Sequence, residues 1–123
     1  MKRDWELIRG ILLQAEAAPA GTHLQVLEAE NDKTTLAEVL EHIQLLVDAN
    51  LLEATVVPGG GPGQGGFIIH RVTWQGHDFL NEAKNDAVWK KVMNQVKEKG
   101  GSVSMMVLKE MVSTVFKAYL SGG

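Results

Sequence analysis

Leu51-Leu52-Glu53-Ala54-Thr55-Val56-Val57, Pro58-Gly59-Gly60-Gly61-Pro62-Gly63-Gln64-Gly65-Gly66, Phe67-Ile68-Ile69-His70-Arg71-Val72-Thr73: this stretch decides how the chain folds. Its two flanks are rich in β-branched and aromatic residues, which suit a pleated, half-buried surface. Between them lies a glycine-rich tip with almost no side chains and no Lys or Arg. The pattern predicts a strand, a long tip and a return strand.

The segments around this hairpin read as helices. Before it, Leu36, Val39, Leu40, Ile43, Leu46 and Val47 form one apolar stripe at helical spacing over about Thr35 to Ala49. Glu38, Glu41, His42, Gln44 and Asp48 make the opposite, acidic face. Asn50 suits the left-handed position that stops a helix. Upstream, Asp4 caps a first helix to about Glu16, with Trp5, Ile8, Leu12 and Ala15 in register. His23 to Glu30 alternates weakly and predicts a short strand. After the hairpin, Thr73 caps a helix to about Ala83, with Gly76 in its first turn, where the missing side chain permits close packing. Lys84 to Lys99 continues that helix or follows it directly, with Val88, Trp89, Val92 and Val96 inward, and Gly100-Gly101 stops it. Ser102 or Ser104 starts a last helix to about Leu120, whose Met105, Leu108, Val112, Val115 and Tyr119 repeat at heptad-like steps. The expected fold is α+β: a winged-helix core over residues 1–83, with a glycine-rich wing hairpin, and a C-terminal helical extension over 84–123 that packs on the core or mediates dimerisation.

Composition narrows the class. The chain has 123 residues, 45% hydrophobic and 22% charged, which is ordinary for a globular domain. It has no cysteine, which removes disulfides and thiolate zinc sites. The apolar run Ile8 to Ala20 is interrupted by Arg9 and Gln14 and follows helical spacing, so it does not read as a targeting segment. No stretch approaches the uncharged length of a membrane span. A cytoplasmic, non-membrane protein is expected. Residues 1–83 hold five basic and twelve acidic residues, and residues 84–123 hold seven lysines and three acids. The net charge of −3 therefore divides into −7 and +4, which hints at two surfaces with different partners.

Four segments resemble an uncharacterised bacterial and phage family, domain of unknown function 2513. These are the opening Met1-Lys2-Arg3-Asp4 with Leu7-Ile8-Arg9; Leu40 through Ala54, which looks like the family's central helix and first wing strand; Arg71-Val72-Thr73-Trp74-Gln75-Gly76-His77-Asp78-Phe79-Leu80; and Lys97-Glu98-Lys99-Gly100-Gly101-Ser102. The resemblance spans essentially the whole chain. It implies a phage or prophage setting and a winged-helix core, and it implies no activity. Asn50 stands where winged-helix proteins commonly have glycine. Asparagine also accepts positive φ.

Motifs of catalysis do not assemble. Gly61-Pro62-Gly63-Gln64-Gly65-Gly66 matches the dinucleotide glycine pattern, but a strand follows where a helix N-terminus is required. His23, His42, His70 and His77 match no metal-ligand spacing. Ser102, Ser104, Ser113 and Ser121 lie in no nucleophile-elbow sequence. Asp78 and Glu82 share a helix face that reads as solvated. No enzyme and no cofactor are expected.

Three binding readings remain. A protein partner, such as a host or defence-system component, would meet Glu38, Glu41, His42, Asp48 and Arg71. The acidic face could occupy a nucleic-acid channel by charge mimicry. Nucleic acid would meet Lys84, Lys90, Lys91, Lys97 and Lys99, since affinity for DNA comes mostly from neutralising phosphates. Against that reading, the helix best placed to read bases is acidic and the wing tip has no cation. A homodimer would form through Met105, Leu108, Val112, Val115 and Tyr119, unless that stripe closes the protein's own core.

Overall fold

The computed structural model describes residues 2–18, 35–58 and 65–122. Among these the chain is α+β, with five helices and one two-stranded antiparallel sheet. The expected strand His23 to Glu30 and most of the glycine-rich tip lie outside the described residues. No helix among the described residues is long and apolar enough to cross a membrane. The chain forms two compact units, Met1–His77 and Asp78–Gly123.

In the first unit, helix α1 (Trp5–Ala17) starts where the Asp4 carboxylate accepts from the Leu7 N–H at 3.1 Å, and it buries Trp5, Leu7, Ile8, Ile11 and Leu12. Helix α2 (Leu36–Asp48) starts where Thr35 Oγ1 accepts from the Glu38 N–H, and it buries Val39, Ile43 and Leu46 against α1. It ends as Asn50 predicts. Asn50 has φ 61°, its N–H donates to the Val47 carbonyl, and the Leu51 N–H donates to the Leu46 carbonyl. This 6→1 and 5→2 pair satisfies carbonyls that the end of a helix leaves open, and Leu46 and Leu51 are both buried beside it.

Strand β1 (Leu52–Pro58) pairs with β2 (Gly65–Val72) in antiparallel register, Leu52 opposite Val72 and Val56 opposite Phe67. Glu53 pairs with Arg71 and Ala54 with Ile69, which leaves His70 as an extra residue on β2. The bulge has a clear use. Phe67 and Ile69 alternate inward, and simple alternation would next bury Arg71. The extra residue leaves both His70 and Arg71 exposed and returns Val72 to the interior. Helix α3 (Trp74–Ala83) follows at once.

In the second unit, helix α4 (Asp86–Glu98) is separate from α3. Asn85 caps it by accepting from the Val88 N–H at 3.1 Å. Val88, Trp89, Val92 and Val96 are buried, and Phe79 meets Trp89 edge to face, with ring centroids 6.4 Å apart. Gly100, at φ 92°, ends α4 by the same closure used at Asn50. Helix α5 (Met105–Leu120), capped by Ser104, packs on α4 and buries Leu108, Val112 and Val115.

Candidate interaction surfaces

The exposed side of α2 follows from its sequence except at one residue. Glu41, Gln44 and Asp48 are exposed and Glu38 is half-buried. Gln44 donates to the Asp48 carboxylate at 3.2 Å. His42 does not share this face. It is 1% exposed, with Nδ1 2.7 Å from the Glu38 carbonyl and Nε2 2.8 Å from the Asp4 backbone N–H. A carbonyl only accepts and a backbone N–H only donates. The ring is therefore neutral, with its proton on Nδ1. Both its nitrogens are used inside the protein, so His42 is withdrawn from the partner-facing set.

Arg71 is exposed and donates to the Glu53 carboxylate across the hairpin at 2.9 Å. The Glu53 carboxyl is held below its ordinary range, first by this hydrogen bond; burial opposes it, and the Arg71 and His70 charges add smaller pulls downward. Behind the bulge, Thr55 Oγ1 lies 2.9 Å from His70 Nε2, and His77 Nδ1 lies 3.4 Å from the Glu16 carboxylate. No group of three or more His, Asp or Glu that could hold a metal ion occurs among the described residues.

Trp74 is the residue that reading the sequence passes over. Its neighbour Thr73 is buried and joins three elements. The Thr73 hydroxyl donates to the Asn50 carbonyl at 2.6 Å and accepts from the Gly76 N–H at 3.0 Å, while its own N–H donates to the Leu51 carbonyl at 3.2 Å. Trp74 is fixed on this rigid junction, yet it is 77% exposed. Spacing could have shown it. At about 100° per residue, Trp74 falls on the side of α3 away from Leu80 and Ala83.

In the second unit Lys84, Lys90, Lys91, Lys97 and Lys99 are all exposed, but they do not form one strip. Lys90 and Lys97 lie two turns apart on one line of α4, and Lys91 is turned about 100° from it. The stripe expected to make a dimer is largely internal. Leu108, Val112 and Val115 are buried where α5 packs on α4, Met105 is half-buried, and only Tyr119 is exposed. An apolar stripe already covered by its own chain is not available to a second copy.

The sequence profile of the family described as hypothetical protein (DUF2513) matches residues 2–102. The chain belongs to the DUF2513 family. A Haemophilus influenzae (strain ATCC 51907 / DSM 11121 / KW20 / Rd) protein described as uncharacterized is 32% identical to this DUF2513 chain, over 98% of it and all of the relative. No solved structure matches it. The DUF2513 match takes in α1 to α4, with Trp74, Arg71 and the α2 face, and stops before α5. The family description carries no activity, so function must be argued from these surfaces.

Proposed function

We propose that this DUF2513 chain is a non-catalytic winged-helix interaction module that binds a protein partner in the bacterial cytoplasm. The order α1, α2, β1, β2, with the glycine-rich tip between the strands, supports the winged-helix reading.

The observation that carries the function is Trp74. A large aromatic side chain that stays in water on a hydrogen-bonded backbone junction has its backbone already ordered, so binding costs it only the freedom of its own two χ angles. Such residues dominate the energetics of protein interfaces. The exposed Glu41 and Asp48 of α2 and the Glu53–Arg71 pair are further polar groups that the same unit offers a partner. No Lys or Arg stands on α2, so the helix that would enter a DNA groove would be repelled by phosphate. The phage setting implied by the family resemblance makes a host or defence-system protein the natural partner.

Fluorescence anisotropy of labelled random duplex DNA, from low to physiological salt, tests the reading. No binding at low salt is expected. Binding that weakens steeply with salt would overturn it in favour of a DNA-binding regulator, with the Lys90 and Lys97 line on phosphate. The positive counterpart is crosslinked capture from host lysate, in which a specific product should be lost with Trp74→Ala.

A further inference from the structure

Within the second unit, an open cleft runs between α4 and α5, lined by Ala87, Val88 and Lys91 from one helix and Val115, Ala118 and Tyr119 from the other. Val88 and Val115 are buried and form its floor. Ala87 and Ala118 are exposed, and their single methyl groups leave open a space that larger side chains would fill. Two residues with polar side-chain ends, Lys91 and Tyr119, also line the cleft. Both residues are exposed, and neither side chain has a hydrogen-bond or ion-pair partner among the described residues.

We propose that this cleft docks an acidic, apolar-anchored segment of a partner protein. An aliphatic or aromatic side chain enters between α4 and α5, and a neighbouring Asp or Glu carboxylate accepts from Lys91 and Tyr119. Charge selects the acidic partner. The unit holds seven lysines against five acids, and a cationic segment would meet Lys91 head-on. Helix-in-groove docking lays an apolar helix face into a hydrophobic groove, and Lys91 at this cleft adds the charge that favours an acidic neighbour on that helix. The inference rests on the chain being a protein-binding module, but it uses none of the Trp74 surface.

The test is backbone amide NMR of the full chain at low salt. It is titrated with three synthetic amphipathic helical peptides that share one leucine spacing and carry Glu, Gln or Lys on the polar face, and separately with octanoate. The Glu peptide should shift Ala87, Val88, Lys91, Val115, Ala118 and Tyr119. It should bind roughly two- to five-fold tighter than the Gln peptide, the worth of one screened ion pair. Lys91→Glu should reverse the preference towards the Lys peptide. Equal binding of all three peptides, shifts confined to other surfaces, or a cleft that responds to octanoate alone would each overturn the proposal. A normal cleft titration together with a Trp74→Ala variant that keeps its partner would overturn the Trp74 reading instead.

Discussion

His42 and Asp4, 38 residues apart in sequence, are joined by a 2.8 Å hydrogen bond from the Asp4 backbone N–H to the imidazole Nε2. The bond ties the start of α1 to the middle of α2, and the Glu38 carbonyl fixes the other side of the ring. His42→Ala would leave the Asp4 N–H without its acceptor and open a void in a buried site. The expected loss of stability is about 2–4 kcal/mol in urea unfolding. Nitrogen NMR of the imidazole should find Nδ1 protonated and Nε2 bare. A loss below about 0.5 kcal/mol, the range of ordinary surface changes, or the opposite tautomer would contradict the arrangement.

The case of His42 shows where reading the sequence ends. The stop at Asn50, the cap at Thr73 and the stop at Gly100 were legible because each rests on local backbone chemistry. The burial of His42 was not, because its partner lies on another helix and a polar residue beside an apolar stripe reads as surface. The α3–α4 break at Asn85 has a local signal too, an asparagine three residues before Val88 that caps α4, but the helical spacing on either side of it fits one helix as well as two. The stripe of α5 was visible as apolar, but which surface covers it depends on tertiary packing. His70 and Arg71 both being exposed reflects a bulge that alternation alone does not forecast.

Gly76 and Gly10 should respond oppositely to alanine. A methyl group at Gly76 would fall on the Leu51 carbonyl oxygen and stand 2.6 Å from Val72 Cγ1, whereas at Gly10, inside α1, nothing lies within 4 Å. Gly76→Ala is expected to destabilise by about 3 kcal/mol or to prevent folding, since the obstacle is backbone. Gly10→Ala should stabilise by roughly 0.5–1 kcal/mol through helix propensity. Thermal unfolding followed by circular dichroism checks both, and equal effects would refute the packing assigned to Gly76.

Asn50 holds φ 61° while its carbonyl accepts from Thr73. Replacement by Ala keeps the carbonyl but places an ordinary side chain in the left-handed region, which costs about 1 kcal/mol. Asn50→Gly should leave stability within a few tenths of that of the parent. Chemical denaturation of the two variants in parallel separates a conformational cause from a lost side-chain contact, because only the latter would weaken both equally.

Glu53 offers the clearest pH dependence. Its folded carboxyl titrates below its unfolded value, with the Arg71 hydrogen bond as the first cause. A depressed carboxyl favours the folded state above the unfolded titration range, and the contribution disappears as pH falls through the folded one. Both side chains are more than half exposed, so the effect is screened, and its cleanest readout is the titration itself. Carbon NMR of the Glu53 carboxyl should show a midpoint below that of an ordinary glutamate in the parent and a return to the ordinary range in Arg71→Ala. High salt should move the parent part of the way in the same direction. If the Glu53 midpoint were the same with and without Arg71, the cross-hairpin pair would not persist in solution, and Arg71 would be a free cation at the base of the hairpin.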